Sequence, residues 1–141
     1  MFNDVVDAIC LTISQAFADR EIYTEQVKQG FTPPCFFVTC INPNEGRYLG
    51  EKFQHKGKYE INYFPNEENA NRELVDVSET LSDILETIEV KGELTRGTKM
   101  ESTISDGVLS FLVNYDYFVY KGMSKEEAME KLRSKTEVEN G

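Results

Sequence analysis

His55 is the only histidine in the chain, so any Ser-His-Asp or Cys-His arrangement has to use it. It stands in Lys52-Phe53-Gln54-His55-Lys56-Gly57-Lys58, a basic stretch with no nucleophile beside it, and reads as an exposed loop histidine. Cys10, Cys35 and Cys40 are the three thiols. Cys35 and Cys40 are five apart, and strand alternation points them to opposite faces. A four-ligand zinc site is therefore hard to assemble. An odd cysteine count argues against a fully paired disulfide framework, and each thiol lies in an apolar run, as reduced buried cysteines do. The pair Glu67-Glu68 is explained as favourable charge at a helix start without a metal. Asn44-Glu45-Gly46 and Arg96-Gly97-Thr98 read as glycine-containing turns, and neither has the spacing of a phosphate-binding loop. No catalytic constellation emerges, and neither metal nor cofactor is expected. A domain with a good core and no reactive set points to a structural or binding role.

The elements that would position these residues follow from periodicity. Phe2, Val5, Val6, Ile9, Ile13, Ala16 and Phe17 recur at the three-and-four spacing of an amphipathic helix, with Asn3 and Asp4 suited to its start. A short extended piece is expected at Ile22 and Tyr23. Gly30 and Pro33-Pro34 then interrupt the chain. Cys35–Ile41 is a continuous apolar, β-branched run bounded by Pro34 and Asn42-Pro43, the pattern of a well-buried strand. Arg47 to Phe53 fits another strand, Gln54 to Lys58 reads as a polar turn, and Tyr59 to Phe64 alternates until Pro65 ends it.

A second helix is expected from the stripe Ala70, Leu74, Val77, Leu81, Ile84, Leu85 and Ile88, with Glu73, Asp76, Glu79, Asp83 and Glu86 outside it. Gly92 would close it or the short link beyond it. Lys99–Ser105 and Val108–Tyr120 flank Asp106-Gly107, a strong hairpin signal. On the outgoing strand Leu109, Phe111, Val113, Tyr115, Tyr117 and Val119 share one face, and Ser110, Asn114 and Asp116 the other. Ser124 and Glu127 have capping-box spacing for a short helix to Arg133. The fold class is α+β, a mainly antiparallel sheet packed against two amphipathic helices. Residues 1–122 would form the domain, and 123–141 a C-terminal helix and flexible tail.

Composition bounds the function. Hydrophobic residues make up 40% of the 141 residues, enough for one packed core. The formal net charge of −10 makes the chain a poor general nucleic-acid binder and repels it from anionic lipid. The aromatic stripe ending at Tyr120 therefore reads as packing with some rings left for a subunit interface, not as a base-stacking platform. The first residues, MFNDVVDAIC, lack the basic-then-apolar order of a secretion signal. No stretch approaches the ~20 apolar residues of a membrane span. A soluble protein made in a reducing cytoplasm is expected.

Several segments together resemble one family. They are Arg96-Gly97-Thr98-Lys99-Met100, Asp106-Gly107-Val108-Leu109 and Phe111-Leu112-Val113-Asn114-Tyr115. With them go Gln29-Gly30-Phe31, Pro34-Cys35-Phe36-Phe37, Arg47-Tyr48-Leu49-Gly50, Ile61-Asn62-Tyr63-Phe64-Pro65 and the start of the first helix. Over residues 1–121 the chain resembles the tail terminators encoded in tail modules of phages and prophages of Gram-positive bacteria.

That resemblance implies a non-enzymatic hexameric ring on the head-proximal end of the tail tube. The ring would stop tube polymerisation and form the surface that joins the neck. Implied partners are further copies of the chain, the tube protein, a head-completion or neck protein and, in a contractile tail, the sheath. DNA would only pass through the channel. Assembly would take place in the host cytoplasm, and the protein would end in the virion tail. Another neck or head-completion protein of the same module, or a small hydrolase using an acid pair, are the alternatives. A ring of acidic subunits needs local attraction to offset its repulsion. The candidate interface residues are Arg47, Tyr48, Lys52, His55, Lys56 and Lys58, with Tyr117 and Tyr120 from the last strand.

Overall fold

The computed structural model describes residues 2–25, 30–67 and 69–120. Two helices and six strands occur among them: α1 (Phe2–Ala16), β1 (Glu21–Tyr23), β2 (Cys35–Leu49), β3 (Lys52–Phe64), α2 (Asn71–Ile84), β4 (Thr87–Val90), β5 (Glu93–Ser105) and β6 (Val108–Tyr120). The strands make one mostly antiparallel sheet in the order β1-β2-β3-β6-β5-β4. β1 runs parallel to β2, pairing Glu21–Tyr23 with Cys35–Phe37. The fold is α+β, as the periodicity of helix stripes and alternating strands implies. The expected C-terminal helix, and the segment 123–141 as a whole, lie outside the described residues.

The chain separates into two compact units. The first comprises residues 1–44 and 56–116; the second is built, within the described residues, from 45–55 and 117–120. β2, β3 and β6 each contribute to both.

The first unit holds the apolar core. α1 buries Val5, Val6, Ala8, Ile9 and Ile13, and Phe17 follows just past its end. α2 buries Leu74, Val77 and Leu81. Alternation on the strands supplies the opposing layer: Tyr59, Ile61 and Tyr63 from β3, then Leu109, Phe111, Val113 and Tyr115 from β6, all fully buried. α1 packs on α2 and β4, and α2 packs on β5. Asp106 and Gly107 have φ of 54° and 74° between Ser105 and Val108, the two-residue turn expected of Asp-Gly.

Several sequence expectations need correction. The second helix stops at Ile84, not Ile88. Thr87, Ile88 and Val90 are β-branched and extend as β4, and Lys91-Gly92 turns a hairpin with φ of 49° and 82°. Gly92 is thus a hairpin glycine and not a helix cap. Arg96-Gly97-Thr98 is strand, not turn; β5 begins at Glu93 because Glu93–Arg96 pair with β4. Asn42-Pro43 does not end β2. Proline lacks a donor, and β1 pairs only with residues 35–37, so residue 43 sits where no β1 N–H partner is required. Last, Arg47 to Phe53 is not one strand and residues 54–58 are not a turn: the reversal falls at Gly50-Glu51, with Gly50 at φ 58°, and β3 runs unbroken through Gly57.

Candidate functional site

The second unit is a hairpin end made by β2 and β3 with the last residues of β6. Its residues arrange as rings with cations laid on them. Tyr48 tilts against Phe118 with centroids 5.2 Å apart. The Lys52 ammonium stands 4.2 Å from the Phe118 centroid and 5.2 Å from that of Tyr48. The Arg47 guanidinium lies 5.5 Å from the Phe53 ring centre. A cation over an aromatic face is held by the ring quadrupole at ~0.5–1 kcal/mol where water reaches it. Tyr48, Leu49 and Phe118 are nevertheless 57, 63 and 45% exposed, more apolar surface than single scattered residues leave.

Among the described residues of this unit, His55 is the deeply buried titratable side chain. His55 is 2% exposed and stacks on Tyr117 with centroids 5.0 Å apart and planes 21° from parallel. Its Nε2 is 3.1 Å from a Glu45 carboxylate oxygen. This corrects the exposed-loop reading. His55 shares the strand face of Gly57, Tyr59, Ile61 and Tyr63, so its burial continues the core-facing alternation of β3. Burial pulls the imidazole below its ordinary value of 6.5. The neighbouring carboxylate pulls the other way, but Glu45 is partly open to water and burial of the ring is the larger effect.

The expected interface residues divide accordingly. Arg47, Tyr48, Lys52, His55 and Tyr117 come together in the hairpin end. Lys56 is exposed and Lys58 half-buried, and both belong to the first unit. Tyr120 ends β6, and its side chain is outside the described set. The named candidates omit Phe118 and Phe53, which fall within the expected regions Tyr117 to Tyr120 and Arg47 to Phe64, and Glu45, which does not. Phe118 was visible as an aromatic on the polar face of β6, in step with Ser110, Asn114 and Asp116. Glu45 was hidden by reading Asn44-Glu45-Gly46 as a turn.

Arg20, Tyr63 and Glu73 form a polar cluster in the first unit. Arg20 Nε donates to the Tyr63 hydroxyl at 3.0 Å, and that hydroxyl donates to Glu73 at 2.9 Å. Arg20 also lies over the Phe17 ring, 4.9 Å from its centre. Burial raises the Tyr63 hydroxyl above its ordinary value, so it stays protonated and braces the end of α1, β3 and α2. All three cysteines are free thiols, and burial pushes Cys10 up to about 11. That is the opposite of the depressed value a reactive thiol needs. Among the described residues no group of three or more His, Cys, Asp or Glu could hold a metal ion, and no helix is long and apolar enough to cross a membrane.

The second unit thus carries an exposed aromatic and cationic hairpin end, and the first a core whose Arg20, Tyr63 and Glu73 are hydrogen-bonded to one another. A family model described as phage tail terminator protein matches residues 4–127. The chain belongs to the phage tail terminator family, a family of structural proteins of the phage tail. Comparison with curated proteins gives no match. One solved structure is 12% identical, matched over 84% of this chain and 97% of its own, with a TM-score of 0.40.

Proposed function

We propose that the chain caps the head-proximal end of a tail tube as a hexameric ring, stops tube polymerisation there, and presents the surface that the neck or head-completion protein binds. The family match over residues 4–127 carries this reading. The physical logic is that of a head-to-tail polymer. Each tube ring offers a fresh surface to the next, and growth continues until something closes the end. A ring that binds the tube with one face and offers the other face no tube-like site does so.

The net charge of −10 suits a channel that DNA traverses, because like charge opposes phosphate contacts. The same charge disfavours closure of free copies into a ring. The chain is therefore monomeric or a loose mixture in dilute solution, and hexameric when the tube supplies a template. The partners are the tube protein on one side, the neck protein on the other and, in a contractile tail, the sheath. Assembly takes place in the host cytoplasm. Deleting the gene should give tails of uncontrolled length, or tails that never join heads. Tails of normal length attached normally to heads would remove the proposal.

A further inference from the structure

The family match does not say how one copy meets the next. Charge on this chain is distributed unevenly. In the hairpin end, residues 45–55 hold Arg47 and Lys52 against Glu45 and Glu51, a local balance in a chain of net charge −10. The α2 region is strongly acidic. Residues 71–86 carry five acidic side chains against Arg72 alone. Asp76, Glu79 and Asp83 follow a three-and-four spacing on the side of α2 opposite buried Leu74, Val77 and Leu81, and all three are exposed. Val75 beside them is 40% exposed. One surface thus offers aromatic rings capped by cations, and the other offers carboxylates around an apolar spot.

Resting on the ring reading above, we infer that adjacent copies join head to tail, the Arg47–Tyr48–Lys52–Phe118 hairpin end of one seating on the Asp76–Glu79–Asp83 face of α2 in the next. The occupant is fixed by charge. A second copy of this chain brings both the acidic face and an exposed apolar residue, and the aromatic rings supply the contact area that charge alone lacks. Two different surfaces meet in such a contact, so it propagates in one direction and closes into a ring when the rotation allows. It also explains how copies of like net charge associate: the Arg47 and Lys52 cations of each hairpin end face the carboxylates of its neighbour, and the attraction weakens as salt screens it.

The test is a charge swap between two full-length variants. The first carries Arg47→Glu and Lys52→Glu; the second carries Asp76→Lys, Glu79→Lys and Asp83→Lys. Each should melt as a monomer close to the unmodified chain, and each alone should lose association on the order of tenfold or more, in solution and on purified tube ends. An equimolar mixture should recover ring assembly, since the two kinds alternate around an even-numbered ring with every contact complementary.

Normal assembly of either variant alone, or failure of the mixture when both are folded, overturns the contact. Sedimentation at high protein concentration reads the contact without tubes. If the variants and their mixture behave as stated there while unmodified protein ignores tube ends, the capping role has failed and the contact has not. If unmodified protein caps tubes and both variants do so equally well, the contact has failed and the capping role has not.

Discussion

The two units of this chain solve opposite problems. In the first, α1, α2 and the alternating faces of β3 and β6 bury side chains that are almost all apolar or tyrosine, and the polar groups that go inside find partners close by: the Tyr115 hydroxyl donates to the Leu85 carbonyl, and Tyr63 links Arg20 to Glu73. Among the described residues of the second, the side chain withdrawn furthest from water is an imidazole, and Tyr48, Leu49 and Phe118 stay open to solvent. A core satisfied within itself gives stability and nothing for a partner to hold. A hairpin end with exposed rings and charges gives up stability for adhesiveness.

Core truncation should separate the units most sharply. Phe111→Ala or Leu81→Ala removes a fully buried side chain and should cost ~2–5 kcal/mol, whereas Leu49→Ala, at a residue 63% exposed, should stay within about 0.5 kcal/mol. Chemical denaturation measures all three, and equal losses would abolish the distinction.

Gly97 comes next. Its amide donates to the Glu86 carbonyl at 2.8 Å, and a Cβ there would sit 2.5 Å from the Leu85 carbonyl oxygen, the atom that accepts from Tyr115. Gly97→Ala must push backbone and not a flexible side-chain tip, so a loss of ~1–3 kcal/mol is expected. Gly46→Ala, where an added Cβ meets nothing within 4 Å, should leave the melting temperature almost unchanged.

The smallest effect is electrostatic and belongs to the hairpin end. The folded His55 value lies below the unfolded 6.5, so the unfolded chain takes up this proton first. Its contribution to stability is whole above about 6.5 and is lost as pH falls from there toward the folded value. His55→Gln should therefore lose less stability than the unmodified chain between about pH 7 and about pH 5. Identical pH profiles would mean that the imidazole is not withdrawn from water as its burial indicates.

Periodicity carried most of the first unit. The α1 stripe, the Cys35 run, the alternation from Tyr59 and the Asp-Gly hairpin all reflect one side facing a core, and a residue's identity records that directly. The second unit was less legible because its signals are polar. Gly57 among lysines looks like a turn, yet here it is a strand residue whose missing side chain makes room for the Tyr59 ring. Once that turn is assumed, His55 falls outside the alternation and appears exposed. Ile88 was lost for a related reason: it stands at helical spacing from Leu81 and Leu85, and only the β-branched run with Lys91-Gly92 places it on β4. Of the proposed interface residues, the sequence pointed to Arg47, Lys52 and Tyr48 through charge contrast and resemblance. It could not pair them with Phe118, which lies 66 residues beyond Lys52 and meets it only through the fold.

Capping is tested most directly by growing tubes. Purified tube protein should be polymerised with and without this chain, and the tube lengths and ends measured by negative-stain microscopy. The account predicts shorter tubes that stop growing, each with added density at one end, when the chain is present from the start. Tubes of unchanged length distribution with bare ends, at concentrations where the chain is folded and in excess over tube ends, would contradict it.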